Sequence, residues 1–280
     1  MIHSSCLCGD VAWDVDGPFQ FLSHCHCSRC RKAHGVPFAS YVMAPASGFA
    51  LRGAQSRVEW QSSPGMKRCF CGRCGSTVPG DPEGELTFVP AGNFESDPGV
   101  RPVAHIFAAS KAPWYEITDA LPRFDAFPPG VDAAVLADRP HAHAGDGVHG
   151  GCNCGAVAFT LTAPPFLARY CHCARCRKAR SAAHAANLLN RANEIRWDRG
   201  ADRIASYKIP EAKFFMQCFC STCGSKLPRV DPSRDYTITP LGSLDDDPGI
   251  RPTEHIFAAS KAPWFDITDP LPQHPEAAPS

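Results

Sequence analysis

The sequence predicts an all-β protein of two small antiparallel β domains, of the same fold and in tandem, each stapled by clustered cysteines. Three observations predict this. Short apolar stretches follow the period of two that marks half-buried strands, and none keeps a helical spacing for long. Proline and glycine, 27 and 22 residues, break the chain into short pieces, as small antiparallel sheets require. The third observation is an internal repeat. Cys6-Leu7-Cys8-Gly9 returns as Cys152-Asn153-Cys154-Gly155. Cys25-His26-Cys27-Ser28-Arg29-Cys30 returns as Cys171-His172-Cys173-Ala174-Arg175-Cys176. Cys69-Phe70-Cys71-Gly72-Arg73-Cys74 returns as Cys218-Phe219-Cys220-Ser221-Thr222-Cys223, and the run from His105 to Trp114 is identical to that from His255 to Trp264.

In the first copy, Val11, Trp13 and Val15 alternate with other residues and predict a strand with one buried face. Segments 38–43, 58–61, 66–71, 86–89 and 105–108 predict further short strands, and 27–34 predicts a helical turn or more. The copies span 1–127 and 151–273. Residues 128–150, rich in Pro, Ala, His and Gly, read as a linker, and 274–280 as a tail. His141, His143 and His149 fall in that linker and read as solvated rather than metal-binding. Two similar domains on so short a tether are expected to pack on each other.

Composition narrows the classes. With 44% hydrophobic and 20% charged residues the chain is globular, which argues against disorder and against a membrane span. The first six residues contain no basic segment followed by an apolar run, which predicts no signal peptide and a cytoplasmic location. Lys+Arg and Asp+Glu are equal at 28 each, so charge gives no reason to expect nucleic acid or an acidic membrane as partner. Metal-thiolate clusters would carry the net charge down to about −6, further from nucleic-acid binding.

The sixteen cysteines carry the chemistry. In a small secreted protein they would suggest disulfides, but here they fall at ligand spacings. Each copy holds them in three groups, CxC, CxCxxC and CxCxxC. A CxxC turn brings two sulfurs onto one ion, and on an extended strand residues i and i+2 point to the same side. Clustered thiolates favour zinc. Spacing alone leaves open which groups share an ion.

The motifs CxCGxVxW, CHCxxCRKxHG, FCxxCGS and HIFxxSKAPW, in that order, resemble the glutathione-dependent formaldehyde-activating family, which also includes centromere protein V. The resemblance covers both copies and leaves out the linker and tail. It implies a small all-β zinc fold shared broadly with methionine-sulfoxide reductase B. It also implies one zinc held by Cys6, Cys8, Cys71 and Cys74, and a second held by Cys25, Cys27 and Cys30 with an open or exchangeable fourth position. The second copy supplies Cys152, Cys154, Cys220 and Cys223, then Cys171, Cys173 and Cys176, so that about four zinc ions are expected per chain. The family motif does not require Cys69 or Cys218. Each either completes the three-cysteine set or remains a spare buried thiol.

The activity implied is addition of glutathione to formaldehyde, giving S-(hydroxymethyl)glutathione, in the carbon–sulfur lyase class. The partners would be a glutathione-like thiol and an aldehyde, with Arg31 and Lys32 holding the thiol's carboxylates. His34, just after the three-cysteine group, is the candidate acid/base, and Lys111 and Trp114 are candidates for a substrate groove. The alternative reading is a non-catalytic zinc module that binds a protein partner or a thiol. The copies part after the three-cysteine group: Arg180, Ser181 and His184 stand where the first copy has His34, Gly35 and Phe38. That makes the first copy the better candidate for a working site.

Overall fold

The computed structural model describes residues 1–131, 133–136 and 145–279. His141 and His143 lie outside the described residues. The first half runs β1 Ile2–Ser5, β2 Ala12–Val15, β3 Phe21–Cys25, α1 Ser28–His34, β4 Ala39–Pro45, β5 Phe49–Arg52, β6 Arg57–Ser63, β7 Met66–Cys71, β8 Thr77–Val78, β9 Leu86–Pro90 and β10 Ala104–Ile106. The second repeats that plan: β11 Val148–Gly151, β12 Ala158–Leu161, β13 Leu167–Cys171, α2 Ala174–Arg180, β14 Ala185–Asn190, β15 Ile195–Arg199, β16 Ile204–Lys208, β17 Met216–Cys220, β18 Lys226–Leu227, β19 Arg229–Asp231, β20 Tyr236–Pro240 and β21 His255–Ile256. The second copy therefore starts inside the segment read as linker. His149 lies in β11, with its backbone and ring nitrogens bonded to Asp246.

Each half contains two three-stranded sheets and one larger sheet. In the first half the orders are β1-β2-β5, β6-β7-β8 and β10-β3-β4-β9. The pairings are antiparallel except at one edge: β10 lies parallel to β3, as β21 does to β13. Apart from that edge the sheets are antiparallel, as the fold class predicts. The tail strand returns from β9 by a long connection, and a crossover of that kind permits a parallel neighbour.

The core of the first half packs Trp13, Val11, Val15, Leu22, Phe38, Val42 and Val89 around Cys6, Cys71 and Cys74. The tails exchange between halves. Trp264, from the second copy, is buried in this first core, with its indole N–H on the Ala91 carbonyl at 3.2 Å. Trp114 is buried in the core of the second half. Glycine permits close approach where the halves meet. Gly75 has φ +72°, and a Cβ there would lie 2.4 Å from the Phe219 ring; Gly224 stands in the same relation to Phe70. The two phenyl rings meet edge to face with centroids 6.2 Å apart.

Candidate metal centres and their surroundings

The turn Cys6–Cys8 at the end of β1 and the turn Cys71–Cys74 at the end of β7 are far apart in sequence, but the fold brings them together. The sulfurs of Cys6, Cys8, Cys71 and Cys74 all lie within 4.8 Å of one another, and Cys152, Cys154, Cys220 and Cys223 do the same. The Cys6–Cys8 sulfurs are 3.5 Å apart and the Cys8–Cys71 sulfurs 3.6 Å. Zinc–sulfur bonds of about 2.3 Å in a tetrahedron place sulfurs about 3.8 Å apart, so the donor set fits that ion. All sixteen cysteines are free thiols. Hydrogen bonds from Cys6, Cys71 and Cys8 hold Cys74 well below the usual thiol range, toward the thiolate that a metal ligand must be.

The second type of cluster is built on a short helix. Cys25 ends β3, Cys27 caps α1 by accepting the Cys30 N–H, and Cys30 lies in its first turn. Their sulfurs also lie within 4.8 Å of one another, as do those of Cys171, Cys173 and Cys176. The helix stops after two turns because Gly35 takes a left-handed conformation, φ +69°. Ser181 adopts the same conformation, φ +53°, and its Oγ donates to the Thr77 carbonyl at 2.8 Å. The substitution at this position therefore keeps the backbone and adds a bond to the other half.

Neither Cys69 nor Cys218 belongs to a cluster among the described residues, so of the two readings the spare buried thiol describes them. Cys69 shares the face of β7 that carries Cys71, so it turns toward the core around the four-cysteine centre and away from Cys30. Burial pushes both thiols up to about 11. The preceding residue points the other way. Arg68 places Nη2 3.5 Å from the Cys30 sulfur. Burial works against its charge, yet Cys30, Tyr41 and Cys27 hold the guanidinium above its ordinary range. Sequence reasoning missed Arg68. Its signal was the alternation itself, which aims the residue before a core-facing cysteine at the opposite side.

His34 is fully buried. Its Nδ1 lies 2.7 Å from the Arg180 carbonyl and so carries the proton. Its Nε2, 2.9 Å from Tyr41, then accepts the tyrosine O–H. Tyr41 packs against Cys25 and Cys30, so it links the His34 imidazole to the edge of the three-cysteine centre. Burial pushes the His34 pKa down to about 4. In the second half Asn187 replaces Tyr41, Arg180 replaces His34 and Gln217 replaces Arg68. The Arg180 guanidinium is enclosed, with Nη2 on Asn187 Oδ1 at 3.2 Å.

The remaining candidates from the sequence separate. Arg31 stays half-buried beside the cluster, with Nε on the His26 carbonyl. Lys32 is not available to a substrate, because it is buried between the halves with Nζ 2.7 Å from Asp245 and 3.0 Å from the Gly151 carbonyl. Trp114 is a core residue, and Lys111 Nζ is bonded to the Tyr115 carbonyl at 2.6 Å. Among the described residues this pair lines no common groove, because Trp114 crosses into the core of the other half. His26 points away from its neighbouring sulfurs: its Nε2 donates to His105 Nδ1 at 2.8 Å, and His105 Nε2 donates to Asp119 at 2.9 Å. His172, His255 and Asp269 repeat that chain.

These buried imidazoles make stability acid-sensitive. Burial holds His26 and His184 near about 3, and His34 near about 4, against an ordinary 6.5. The unfolded chain therefore binds these protons first. Their contribution is complete above pH 6.5 and is lost as pH falls toward 4 and then 3, at about 1.4 kcal/mol per group per pH unit. Denaturant melts between pH 7.5 and 5 should show this slope, reduced by about one proton in His34→Gln. An equal slope in the variant would contradict the assignment.

Residues 1–110 and 147–260 each match the family described as glutathione-dependent formaldehyde-activating enzyme. The chain belongs to that family. Over 127 residues, 43% of this chain and 80% of the relative, it is 32% identical to a Halomonas elongata protein provisionally named a glutathione-dependent formaldehyde-activating enzyme. A Rhodobacter sphaeroides protein of known crystal structure aligns over 37% of this chain and 97% of its own length, at 26% identity and a TM-score of 0.27. Among the described residues no helix is long and apolar enough to cross a membrane.

Proposed function

We propose that this member of the formaldehyde-activating family binds zinc at its four cysteine clusters and joins a glutathione-like thiol to formaldehyde at the first three-cysteine centre. The observation that carries this is the first centre itself: three thiols with no fourth protein ligand among the described residues, flanked by Arg68 and by the Tyr41–His34 pair. In the reaction RSH and CH2O give RS–CH2OH: the carbon–sulfur bond forms and the thiol proton ends on the former carbonyl oxygen. Zinc held by Cys25, Cys27 and Cys30 would favour the thiolate and polarise the aldehyde. Arg68 supplies a fixed positive charge beside the sulfurs and favours an anionic thiol. Tyr41, its O–H committed to His34, presents an acceptor that orients the hydroxyl of the adduct. Arg31, at the helix end, is the remaining cation for a carboxylate of the thiol.

The second centre has a guanidinium near it in Arg180, but Asn187 and Gln217 replace Tyr41 and Arg68 and no hydroxyl–imidazole pair remains, so it serves structure in this reading. Thiol consumption by the zinc-loaded protein should therefore fall on the order of 100-fold in Cys27→Ser. Cys173→Ser should stay within about threefold of the parent, because the first centre is untouched. The reverse pattern would show that the halves have been assigned the wrong way round.

A further inference from the structure

Lys226, on β18, is completely buried. Its Nζ donates to the Gly75 carbonyl of the first half at 2.5 Å and to the Gly224 carbonyl of the second at 2.9 Å. Gly75 directly follows Cys74, and Gly224 directly follows Cys223. The amino group therefore bridges the closing turns of both four-cysteine clusters. Among the described residues no carboxylate pairs with it. The other lysine buried between the halves, Lys32, does have one, in Asp245. The position matching Lys226 in the first half is Thr77, whose hydroxyl bonds the Ala33 carbonyl. One cation thus stands between two clusters.

An ammonium enclosed without an anion is costly, and proteins usually pair it or neutralise it. Burial pushes Lys226 down to about 7, with Arg180 acting in the same direction, while Cys74, Cys223 and Cys71 pull it back up. Four thiolates on a divalent ion leave a net charge of about −2 at each turn. Metal-loaded clusters would then supply the missing anion from both halves, one residue before each carbonyl that Lys226 touches.

We infer that Lys226 is the shared counter-charge of the two four-cysteine metal centres, so that the first half holds its ion partly through a residue of the second. This rests on the reading that the clusters bind metal. The competing account is that Lys226 is a neutral amine acting only as a hydrogen-bond clamp, since two N–H groups satisfy both carbonyls.

The experiment loads the full chain with cobalt(II), whose visible spectrum separates four-thiolate from three-thiolate centres, and follows loss of each signal to a chelator. Lys226→Gln keeps amide donors but no charge, and Lys226→Met keeps neither. Both should speed release from the four-thiolate centres by about tenfold, with the three-thiolate signal unchanged. Ser181→Gly, which keeps the left-handed backbone but removes a neutral hydrogen bond between the halves to the Thr77 carbonyl, should leave the four-thiolate rate as it was. Should Lys226→Met fail to fold, Lys226→Gln alone decides. Release from Lys226→Gln at the parent rate would overturn the inference in favour of the clamp, and equal acceleration in Ser181→Gly would overturn it in favour of general loosening. A parent chain that takes up no cobalt would fail differently, overturning the metal reading and this inference with it.

Discussion

Replacing Cys74 by serine is expected to remove the folded state of the first half. Cys74 is fully buried, and its cluster ties the turn after β1 to the turn after β7, two segments with no peptide connection shorter than sixty residues between them. Binding of a structural zinc contributes about 10–16 kcal/mol to folding in small domains, whereas a whole domain is stable by about 5–15 kcal/mol. A weakened centre therefore outweighs the margin that remains. Cys27→Ser should differ in kind. Its cluster staples one short helix to the strand before it, and Cys27 is only half-buried. A loss of about 1–3 kcal/mol is expected there. Melts by circular dichroism, with metal content measured on the same samples, check this. Equal losses from the two variants would contradict the division between a closing centre and an open one. Stripping metal with a chelator under reducing conditions should reproduce the Cys74→Ser result in both halves at once.

The parts of this architecture that were legible share one property: a local pattern suffices to specify them. Strand β2 shows its alternation in Val11, Trp13 and Val15, and β7 shows its length between a glycine turn and a cysteine turn. The left-handed end of α1 is written in Gly35. Strand β3 was not legible, because it is buried on both faces and loses the period of two: Leu22, Ser23, His24 and Cys25 are all inside. Strand β1 offers a single core residue, Ile2, and takes its place only by pairing with β2. At the site the cysteine groups announced themselves by spacing, but the residues around them did not. Arg68 and Lys226 read as solvated surface in any local window. Each is inside only because the other half, or the other face of a strand, closes over it. Lys32 misled for the same reason, since its partner Asp245 lies more than two hundred residues away.

The exchange of tails gives the second large effect. Trp264→Ala is expected to destabilise the chain by about 3–5 kcal/mol, the cost of emptying a fully buried tryptophan site. The informative point is where the damage falls. Trp264 belongs to the second copy in sequence, but its ring fills the core built from Trp13, Val42, Val89 and Ala91 of the first, and its indole N–H loses the Ala91 carbonyl when truncated. That carbonyl keeps the Phe94 N–H at 3.2 Å, so the cost is mainly that of the cavity. Amide exchange should accordingly rise first along β2, β4 and β9, while β12 and β14, packed around Trp114, keep their protection. Trp114→Ala should show the mirror image, loosening the second core from a position in the first copy. The identical run from His105 to Trp114 and from His255 to Trp264 could not indicate this, because an exchanged and an unexchanged arrangement bury the same residues in the same surroundings. Only the path of the chain separates them. Faster exchange confined to the second half in Trp264→Ala would mean that each tail serves its own copy. The two halves would then be neighbours on a tether, whereas the exchange makes them one cooperative unit in which neither core is complete without the other copy's tryptophan.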